Sequence, residues 1–303
     1  MRTICVLLIS AGIAVTVPGS VAAQEGTTEL EEILEQFSGD NARGYMQPLA
    51  DLFGANMNSG WFRSAYVPEE GFQLSIELVG MGARVGDDHR SYAATTPAGF
   101  EPGTFSTATI FGGPGTVVSH AGNASLSYAG SDGIIDASWF PAAAPQLRIG
   151  SLAGTEVIGR FATTIGIDNE DVPTITLWGA GARHSVSQYF PRLPVDLSVG
   201  LMYTKLTADE LVNFTALTIG AQVGKRLGDF EVYGGGAWER SALDLSYTST
   251  DPSNPGSVML ELDGANSARL TAGGAVNAGF LHLFGEVNVG SVTNFSLGFA
   301  VGS

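Results

Sequence analysis

The chain has 303 residues, of which 44% are hydrophobic and only 15% charged, and its formal net charge is −16. Its 14 basic residues are scattered among 30 acidic ones, so no clustered positive face is available for phosphates and a nucleic-acid partner is excluded. Beyond residue 23 no apolar run reaches about 18 residues, which excludes a bundle of transmembrane helices. A transmembrane β-barrel has this composition, since only alternate strand residues contact lipid.

The first 23 residues have the pattern of an export signal. Arg2 is the charged start, residues 3–17 are the apolar stretch, and Val21–Ala23 supply the small residues of a cleavage site. The mature chain is therefore predicted to begin near Gln24, and loss of Arg2 takes its net charge from −16 to −17. The single cysteine, Cys5, leaves with the signal and lies too early for lipid attachment. We expect an exported protein of the cell outer membrane, without disulfides.

Two short helices are predicted between the signal and the first strand, within residues 24–70. Thr28–Glu31 has the sequence of a capping box, and the apolar stripe at helical spacing beside it consists of Leu30, Ile33, Leu34 and Phe37. Asp40 or Asn41 could begin the second helix, and Gly54 could end it. Its apolar face consists of Tyr45, Leu49, Leu52 and Phe53. Helices this short need a surface to dock on, so together with Trp61 they are predicted to plug the barrel.

From residue 72 onward the chain alternates apolar and polar residues, as barrel strands do. The pattern is clearest in Val195–Leu206, where one face is apolar and the other, Met202 excepted, is polar or small. The predicted fold is all-β: a transmembrane antiparallel up-and-down β-barrel of about 12 strands over 71–303, with a short α-helical N-terminal plug. The strands are expected at 72–83, 104–111, 116–128, 145–152, 155–166, 174–189, 195–206, 215–226, 229–249, 257–276, 280–290 and 293–301.

The predicted connections alternate between short and long, as in bacterial outer-membrane barrels. With both termini in the periplasm, the periplasmic turns are 112–115, 153–154, 191–194, 227–228 and 277–279. The outer loops are then 84–103, 129–144, 167–173, 207–214, 250–256 and the brief 291–292. Phe299, close to the C-terminus, would present the aromatic signal that the barrel-assembly machinery reads. Outer-membrane lipid and this machinery are the expected partners.

Several charged residues have the strand parity opposite to their lipid-facing neighbours. Because Arg or Lys on the lipid face near the midplane costs about 2–4 kcal/mol, these residues are predicted to face the lumen. They are Glu77, Arg148, Glu156, Arg160, Asp196, Glu231, Arg269 and Glu286, with His184 as a further lumen or rim candidate. Two interpretations stay open: a structural salt-bridge network that fills the lumen, or a lining that selects small solutes and is gated by the N-terminal helices.

No catalytic residue, cofactor or metal site is predicted. His184 with Ser185 or Ser187 could suggest a lipase, but both serines lie at odd offsets in a strand and so point away from the histidine. Asp168–Asp171 and Asp87–His89 carry hard oxygen ligands without the spacing of a calcium loop, which favours solvated turns. Gly234–Gly236 is not followed by a helix, which favours close approach of the backbone over dinucleotide binding.

Four stretches carry a resemblance to a bacterial family: Ser59–Trp61, Pro145–Val157, Leu177–His184 and Leu193–Leu206. The chain resembles an uncharacterised family of signal-peptide-bearing outer-membrane β-barrels with a small helical N-terminus and no assigned activity. Ser185 stands where that family has an acidic residue, so a His–carboxylate pair is not implied here. In layout alone, the chain is similar to long-chain fatty-acid transporter barrels, which a helical hatch closes.

Three functions follow as expectations. The first is a channel, plugged by residues 25–70, for passive uptake of a small solute, apolar solutes included. The alternative is a non-transporting structural or surface-interaction barrel with a filled lumen, whose loops at 84–103 and 129–144 meet partners. The third is an outer-membrane lipid hydrolase. Conductance measurements separate the first two, and hydrolysis assays address the third.

Overall fold

The computed structural model describes residues 39–163, 174–209, 211–249 and 256–302. The predicted export signal, the stripe containing Leu30, Ile33, Leu34 and Phe37, and the acidic turn at 168–171 lie outside these residues. Helix α1 spans Gly39–Met57. The strands are β1 (Gln73–Arg84), β2 (Ser91–Thr95), β3 (Thr104–Ala108), β4 (Val117–His120), β5 (Asn123–Ala129), β6 (Trp139–Leu152), β7 (Thr155–Thr163), β8 (Ile175–Ser185), β9 (Asp196–Ala208), β10 (Val212–Leu227), β11 (Phe230–Ser249), β12 (Gly256–Asp263), β13 (Ala268–Ala278), β14 (Leu281–Val289) and β15 (Asn294–Gly302).

Ten of these strands form a closed antiparallel barrel. Strands β6 to β11 pair in sequence order, β13, β14 and β15 follow β11, and β1 closes the ring between β15 and β6. The β1–β15 seam runs from Ser75 opposite Gly302 to Ala83 opposite Asn294. Closure pairs the backbone of the ring strands on both sides, which removes the free edges that an open sheet would expose. The all-β barrel architecture is therefore as predicted, with ten strands in the ring.

The predicted number of about 12 barrel strands is wrong in the region 104–128. There β2 pairs with β3 and β4 with β5, as two small hairpins inside the connection 85–138. Strands β3 and β4 have 5 and 4 residues, fewer than the roughly 9–11 that cross a bilayer. The predicted strand 257–276 is divided into β12 and β13, which both pair with β11. Strand β6 begins at Trp139, earlier than the predicted 145, and contains Pro141 and Pro145.

The two ends of the barrel differ in their connections. The short-turn end carries the turns 153–154, 228–229 and 279–280, the connection 186–195, the start of β1 and the end of β15. The long-loop end carries the connection 85–138 and the ends of β11 and β12 that extend past the ring. The predicted periplasmic turn 112–115 lies within 85–138 and so belongs to the long-loop end.

Burial on the barrel is the reverse of burial in a water-soluble protein. On β9 the outward Val199 and Leu201 are exposed, whereas the inward Ser198 and Met202 are buried. The same alternation recurs around the ring, where polar Gln146 is fully enclosed. An apolar exterior around a polar interior is the pattern of a barrel surrounded by lipid. The fold is therefore that of an outer-membrane-type β-barrel.

Helix α1 lies at the long-loop end, where its apolar face is buried. Phe53 packs against Phe140 and Phe214, with ring centroids 6.4 and 4.5 Å apart. The helix continues to Met57, so Gly54 does not end it. Gly54 is instead required by a close approach, because a Cβ there would lie 2.2 Å from the Ser241 hydroxyl. Within the described ranges, no helix has the length and apolarity needed to cross a bilayer.

Candidate functional site in the barrel lumen

Residues 55–69 run through the ring of strands, and we call them the threaded segment. At the long-loop end, the Asn294 side chain at the start of β15 donates to the Ala55 carbonyl at 2.8 Å. At the short-turn end, the Gly154 amide between β6 and β7 donates to the Glu69 carbonyl at 3.0 Å. The segment therefore passes from one mouth of the barrel to the other, antiparallel to β1, which begins at Gln73.

Strands on different sides of the ring contact the middle of the threaded segment. Asn58 accepts a hydrogen bond from Thr218 of β10 at 2.7 Å. Ser59 and Ser296 of β15 have their hydroxyl oxygens 3.0 Å apart. The residues thus touch walls that do not neighbour each other in the sheet order. Such contacts place the segment inside the lumen and not against one outer face.

Four buried arginines from β6, β7, β8 and β13 donate to backbone carbonyls of the threaded segment, and we call them the arginine set. Each is at most 3% exposed. The bonds join Arg148 to Trp61 (3.0 Å), Arg160 to Met57 (3.2 Å) and Ser59 (3.0 Å), Arg183 to Ser64 and to Tyr66 (3.2 Å), and Arg269 to Asn58 (2.9 Å). Carbonyls without a regular secondary-structure partner are thereby satisfied by charged donors.

Three of these arginines also pair with carboxylates on the barrel wall. The closest contacts join Arg148 to Glu77 (2.9 Å) and to Glu156, Arg183 to Glu156 (2.6 Å), and Arg269 to Glu239 (2.9 Å). Arg63 of the threaded segment adds a second cation 2.7 Å from Glu77. Charges in such a network are stable only while every partner is present, because an uncompensated buried charge is strongly unfavourable.

Two further glutamates accept hydrogen bonds from backbone amides of the threaded segment. Glu286 accepts the Gly60 amide at 3.0 Å, and Glu231 accepts the Ala65 amide at 2.8 Å and the Ser64 hydroxyl at 2.7 Å. Arginines thus bind the carbonyls of the segment while glutamates bind its amides. The lumen wall therefore recognises the backbone of residues 57–66 over most of their length.

The aromatic residues of the threaded segment fit against glycines of the wall. Trp61 and Phe62 are 1% exposed and form a small apolar cluster with Ile158 and Met202. A Cβ at Gly179 would lie 2.9 Å from the Trp61 ring, and one at Gly200 would lie 2.8 Å from the Phe62 ring. These two glycines of the wall provide the space that the aromatic side chains occupy.

The structure places most of the predicted lumen residues around this segment. Those whose side chains are buried inside the ring are Glu77, Arg148, Glu156, Arg160, Glu231, Arg269 and Glu286. Asp196 lies instead at the short-turn mouth, 3.4 Å from the half-exposed Arg226. The predicted plug residues Tyr45, Leu49 and Trp61 are buried, the first two in α1 and the third in the threaded segment.

His184 does not line the lumen, which corrects that part of the prediction, and it lies instead at the rim, the other predicted place. It takes the opposite strand face from Arg183, and it is bonded at the short-turn rim to Thr155 (2.8 Å), Tyr189 (2.9 Å) and Gln188 (2.9 Å). Arg183 takes the inward position, opposite Glu156 of β7. The sequence signal that could have found it is an arginine inside the predicted strand 174–189, where an outward position would be costly. Arg63 lies outside the strands, so strand parity could not have indicated it.

Structural contacts account for the other sequence features that were considered as possible sites. The Ser185 and Ser187 hydroxyls lie 3.2 Å apart, and within the described chain neither is hydrogen-bonded to His184. Asp87–His89 forms a short 3₁₀ turn. A Cβ at Gly235 would lie 2.3 Å from the Ala221 carbonyl, so the glycine run marks a close approach of strands.

A cavity of about 480 Å³ opens at the short-turn mouth beside Tyr66, where Arg226 lies 3.4 Å from the ring centroid.

Three solved structures align with the chain at low similarity. A loop-deletion mutant of OmpT, an outer-membrane protein of Vibrio cholerae, is 10% identical over 77% of this chain and 98% of its own, with a TM-score of 0.28. The β domain of the Bordetella autotransporter Brka is 10% identical over 77% and 99%, with a TM-score of 0.32. A deletion mutant of the monoaromatic hydrocarbon channel TodX is 9% identical over 78% and 91%, with a TM-score of 0.23.

Scores this low carry no argument, so the barrel assignment rests on the strand pairing of the chain itself. Among curated proteins, no sequence matches the chain. A family model matches residues 1–303, and the chain therefore belongs to the family of unknown function DUF6588.

Proposed function

We propose that the protein is an outer-membrane β-barrel that does not conduct at rest, because its own threaded segment fills the lumen as a plug. The observation that supports this proposal most directly is the set of buried arginines bonded to the backbone of residues 57–66. Bonds from several walls hold the backbone of the segment in the lumen. The Trp61 and Phe62 rings, which fill the space beside Gly179 and Gly200, fix its position along the barrel axis.

These bonds must be broken before the plug can leave the lumen. A hydrogen bond to a charged group contributes about 1.5–3 kcal/mol. At the lower figure, the six bonds from the arginine set amount to about 9 kcal/mol, which opposes the backbone entropy of about 1–2 kcal/mol per residue that a released segment would regain. Withdrawal would also leave Arg160 without its contact to Trp61. A resting protein of this design is closed.

This proposal corresponds to the non-transporting barrel with a filled lumen, whose role lies at its long-loop end. There the connection 85–138 carries two hairpins and is packed on α1 through the Thr95 backbone and the Tyr45 side chain. Val117 and Leu126 are large apolar residues exposed on this connection. A rigid barrel that holds such an end in place suits binding of a partner at the membrane surface.

The channel for a small solute is the second candidate. The cavity of about 480 Å³ beside Tyr66 favours it, because this cavity gives a solute entry to the short-turn mouth. Passage would still require the threaded segment to move. The lipid-hydrolase hypothesis gains no support from His184, whose ring nitrogens are bonded to Thr155, Gln188 and Tyr189. Outer-membrane lipid and the assembly machinery remain the proposed partners, supported by the apolar exterior and Phe299.

Planar-bilayer recording of the intact, refolded protein tests the proposal. Folding is verified by heat-modifiable migration on a denaturing gel, and insertion by protease protection in lipid vesicles. The expected result is insertion without stepwise currents. Stable single-channel steps from protein that passes both checks would contradict a closed resting state and would favour the channel.

A further inference from the structure

The direction in which the threaded segment runs determines where the chain before it is attached. Helix α1 begins at Gly39. Within the described residues, the hydrogen-bond partners of its first turns lie at the long-loop end. Asn41 donates to the Thr95 carbonyl at 3.0 Å, and Gln47 donates to the Asp263 carbonyl at 2.8 Å. From α1 the chain descends through the lumen and emerges at the short-turn end before β1.

The two ends of the described chain therefore lie at opposite mouths of the barrel. The Gly302 amide, at the end of β15, donates to the Phe280 carbonyl in the turn between β13 and β14 at 2.9 Å, which places it at the short-turn end. Gly39 lies at the other mouth. The prediction that both termini are periplasmic stays untested for the N-terminus, because the residues before Gly39 lie outside the described chain. The sequence alone could not place Gly39 and Gly302 at opposite mouths. A plug docked at the periplasmic mouth and a plug that passes through the lumen have the same pattern of apolar and polar residues.

The lengths of the connections indicate which mouth faces outward. Turns at 153–154, 228–229 and 279–280 mark the short-turn end, whereas one connection at the other end runs from 85 to 138. Bacterial barrels have short periplasmic turns and longer outer loops. On this orientation, the long-loop end faces the cell exterior.

We propose that this barrel carries its own N-terminal region across the outer membrane and presents it on the cell surface, with the threaded segment as the part left inside. The proposal does not depend on whether the barrel conducts. The threaded segment and β1 form the two arms of a hairpin, with Gly71 at φ +99° in the bend, so they can enter the membrane together as the barrel closes around them. The polar backbone of the crossing arm is then satisfied by the arginine set and the glutamates, so no unpaired group faces lipid.

Three matched Asp→Cys substitutions test the proposal, each at an exposed aspartate and each in a Cys5→Ser background. Asp40→Cys lies at the start of α1, Asp136→Cys marks the long-loop end, and Asp229→Cys marks the short-turn end. Intact cells are treated with a membrane-impermeant maleimide, and a second sample is treated after permeabilisation. Heat-modifiable migration verifies that each variant is folded.

The expected result is that Asp40→Cys and Asp136→Cys label fully in intact cells, while Asp229→Cys labels only after permeabilisation. The proposal is overturned if Asp40→Cys follows the pattern of Asp229→Cys, since the start of α1 would then be periplasmic. It is also overturned if Asp136→Cys needs permeabilisation, since the long-loop end would face inward, or if all three label alike. These readouts are independent of current recordings, so failure here and failure of the closed-lumen proposal are distinguishable.

Discussion

The guanidinium carbon of Arg160 lies 3.9 Å from the centroid of the Trp61 indole ring, in the middle of the lumen. Among the residues that the structure describes, Arg160 forms no ion pair, and its donors go to the carbonyls of Met57 and Ser59 and to the amide oxygen of Gln146. The cation is therefore stabilised mainly by the threaded segment. In the intact protein, the barrel wall and the segment therefore satisfy each other's buried polar groups.

Replacing Arg160 tests this mutual dependence. Arg160→Ala leaves the Ser59 carbonyl and the Gln146 amide oxygen without their donor, while the Met57 carbonyl keeps the Trp61 indole N–H. Each orphaned buried acceptor costs about 1–3 kcal/mol, so we expect the free energy of unfolding to fall by about 2–6 kcal/mol. Urea unfolding in lipid vesicles, followed by tryptophan fluorescence, measures it. The matched control is Arg226→Ala, which removes a contact with Tyr66 at the mouth, where the arginine side chain is 46% exposed. There we expect less than about 1 kcal/mol. Equal losses at the two sites would show that the lumen contacts of Arg160 contribute no more to stability than the mouth contact of Arg226.

The hydroxyl contact between Ser59 and Ser296 gives a covalent test of threading. The oxygens are 3.0 Å apart, so the pair Ser59→Cys and Ser296→Cys has side chains close enough to form a disulfide. We expect oxidation of the folded double variant to give a cross-linked species with altered mobility on a non-reducing gel. Each single variant serves as control and should show no shift. Free thiols persisting in folded, oxidised protein would mean that the segment does not lie against β15.

The free-energy cost of an arginine on the barrel exterior should depend on its depth in the membrane. Leu201 lies near the middle of β9 and is 50% exposed, so Leu201→Arg places a cation in the hydrocarbon and should destabilise by about 2–4 kcal/mol. The control Leu227→Arg changes an equally outward residue at the end of β10, beside a short turn, where about 0–1 kcal/mol is expected. Unfolding in vesicles is the measurement. Similar costs at both positions would argue against a lipid-embedded ring.

Asp51 on α1 provides a pH-dependent prediction at the long-loop end. Burial raises the pKa of its carboxyl above the ordinary value, although the Gln47 side chain and the Ala265 amide, at 2.8 and 2.9 Å, favour the ionised form. A raised folded-state pKa means that the folded protein holds the proton more tightly than the unfolded chain. Stability is then greatest below the ordinary pKa and falls as pH rises through the raised value.

The comparison variant is Asp51→Asn, which keeps an oxygen acceptor but cannot titrate. As pH rises from the ordinary pKa of the carboxyl through its raised value, we expect the wild type to lose unfolding free energy relative to the variant. Above that range the difference should level off. Unfolding curves in vesicles at a series of pH values provide the measurement. A difference that stays flat across the series would mean that burial does not perturb the Asp51 carboxyl.

Strand periodicity predicts the wall of this barrel better than its contents. The residues of β9 and β10 that face outward follow from alternation, because lipid selects apolar side chains on one face, whereas their pairing register does not, since a slip of two residues keeps the same faces. Alternation also occurs in β3, where it marks a small hairpin and not a barrel strand, since periodicity does not report what a strand pairs with. Arg63 shows the corresponding limit in the lumen. Its partner Glu77 is defined by three-dimensional closure, not by spacing.

The last prediction concerns the plug itself. Deleting residues 25–60 removes α1 and the carbonyls of Met57, Asn58 and Ser59, so Arg160 and Arg269 lose their acceptors in the threaded segment. Water can then hydrate these arginines and the glutamates that remain on the wall, which converts the filled lumen into a polar path. We expect a heat-modifiable barrel that gives stepwise currents in planar bilayers, where the intact protein gives none.

The disulfide-linked pair at Ser59 and Ser296 is the matched control for this experiment, since it retains the segment and prevents its withdrawal. Its bilayer recordings should resemble those of the intact protein under both oxidising and reducing conditions. If the deletion variant folds and inserts yet stays silent, residues 61–69 alone close the lumen, and the plug must be assigned to that shorter stretch. If the intact and the deletion proteins conduct equally, the threaded segment does not obstruct the lumen, and α1 is left with a role in binding at the surface.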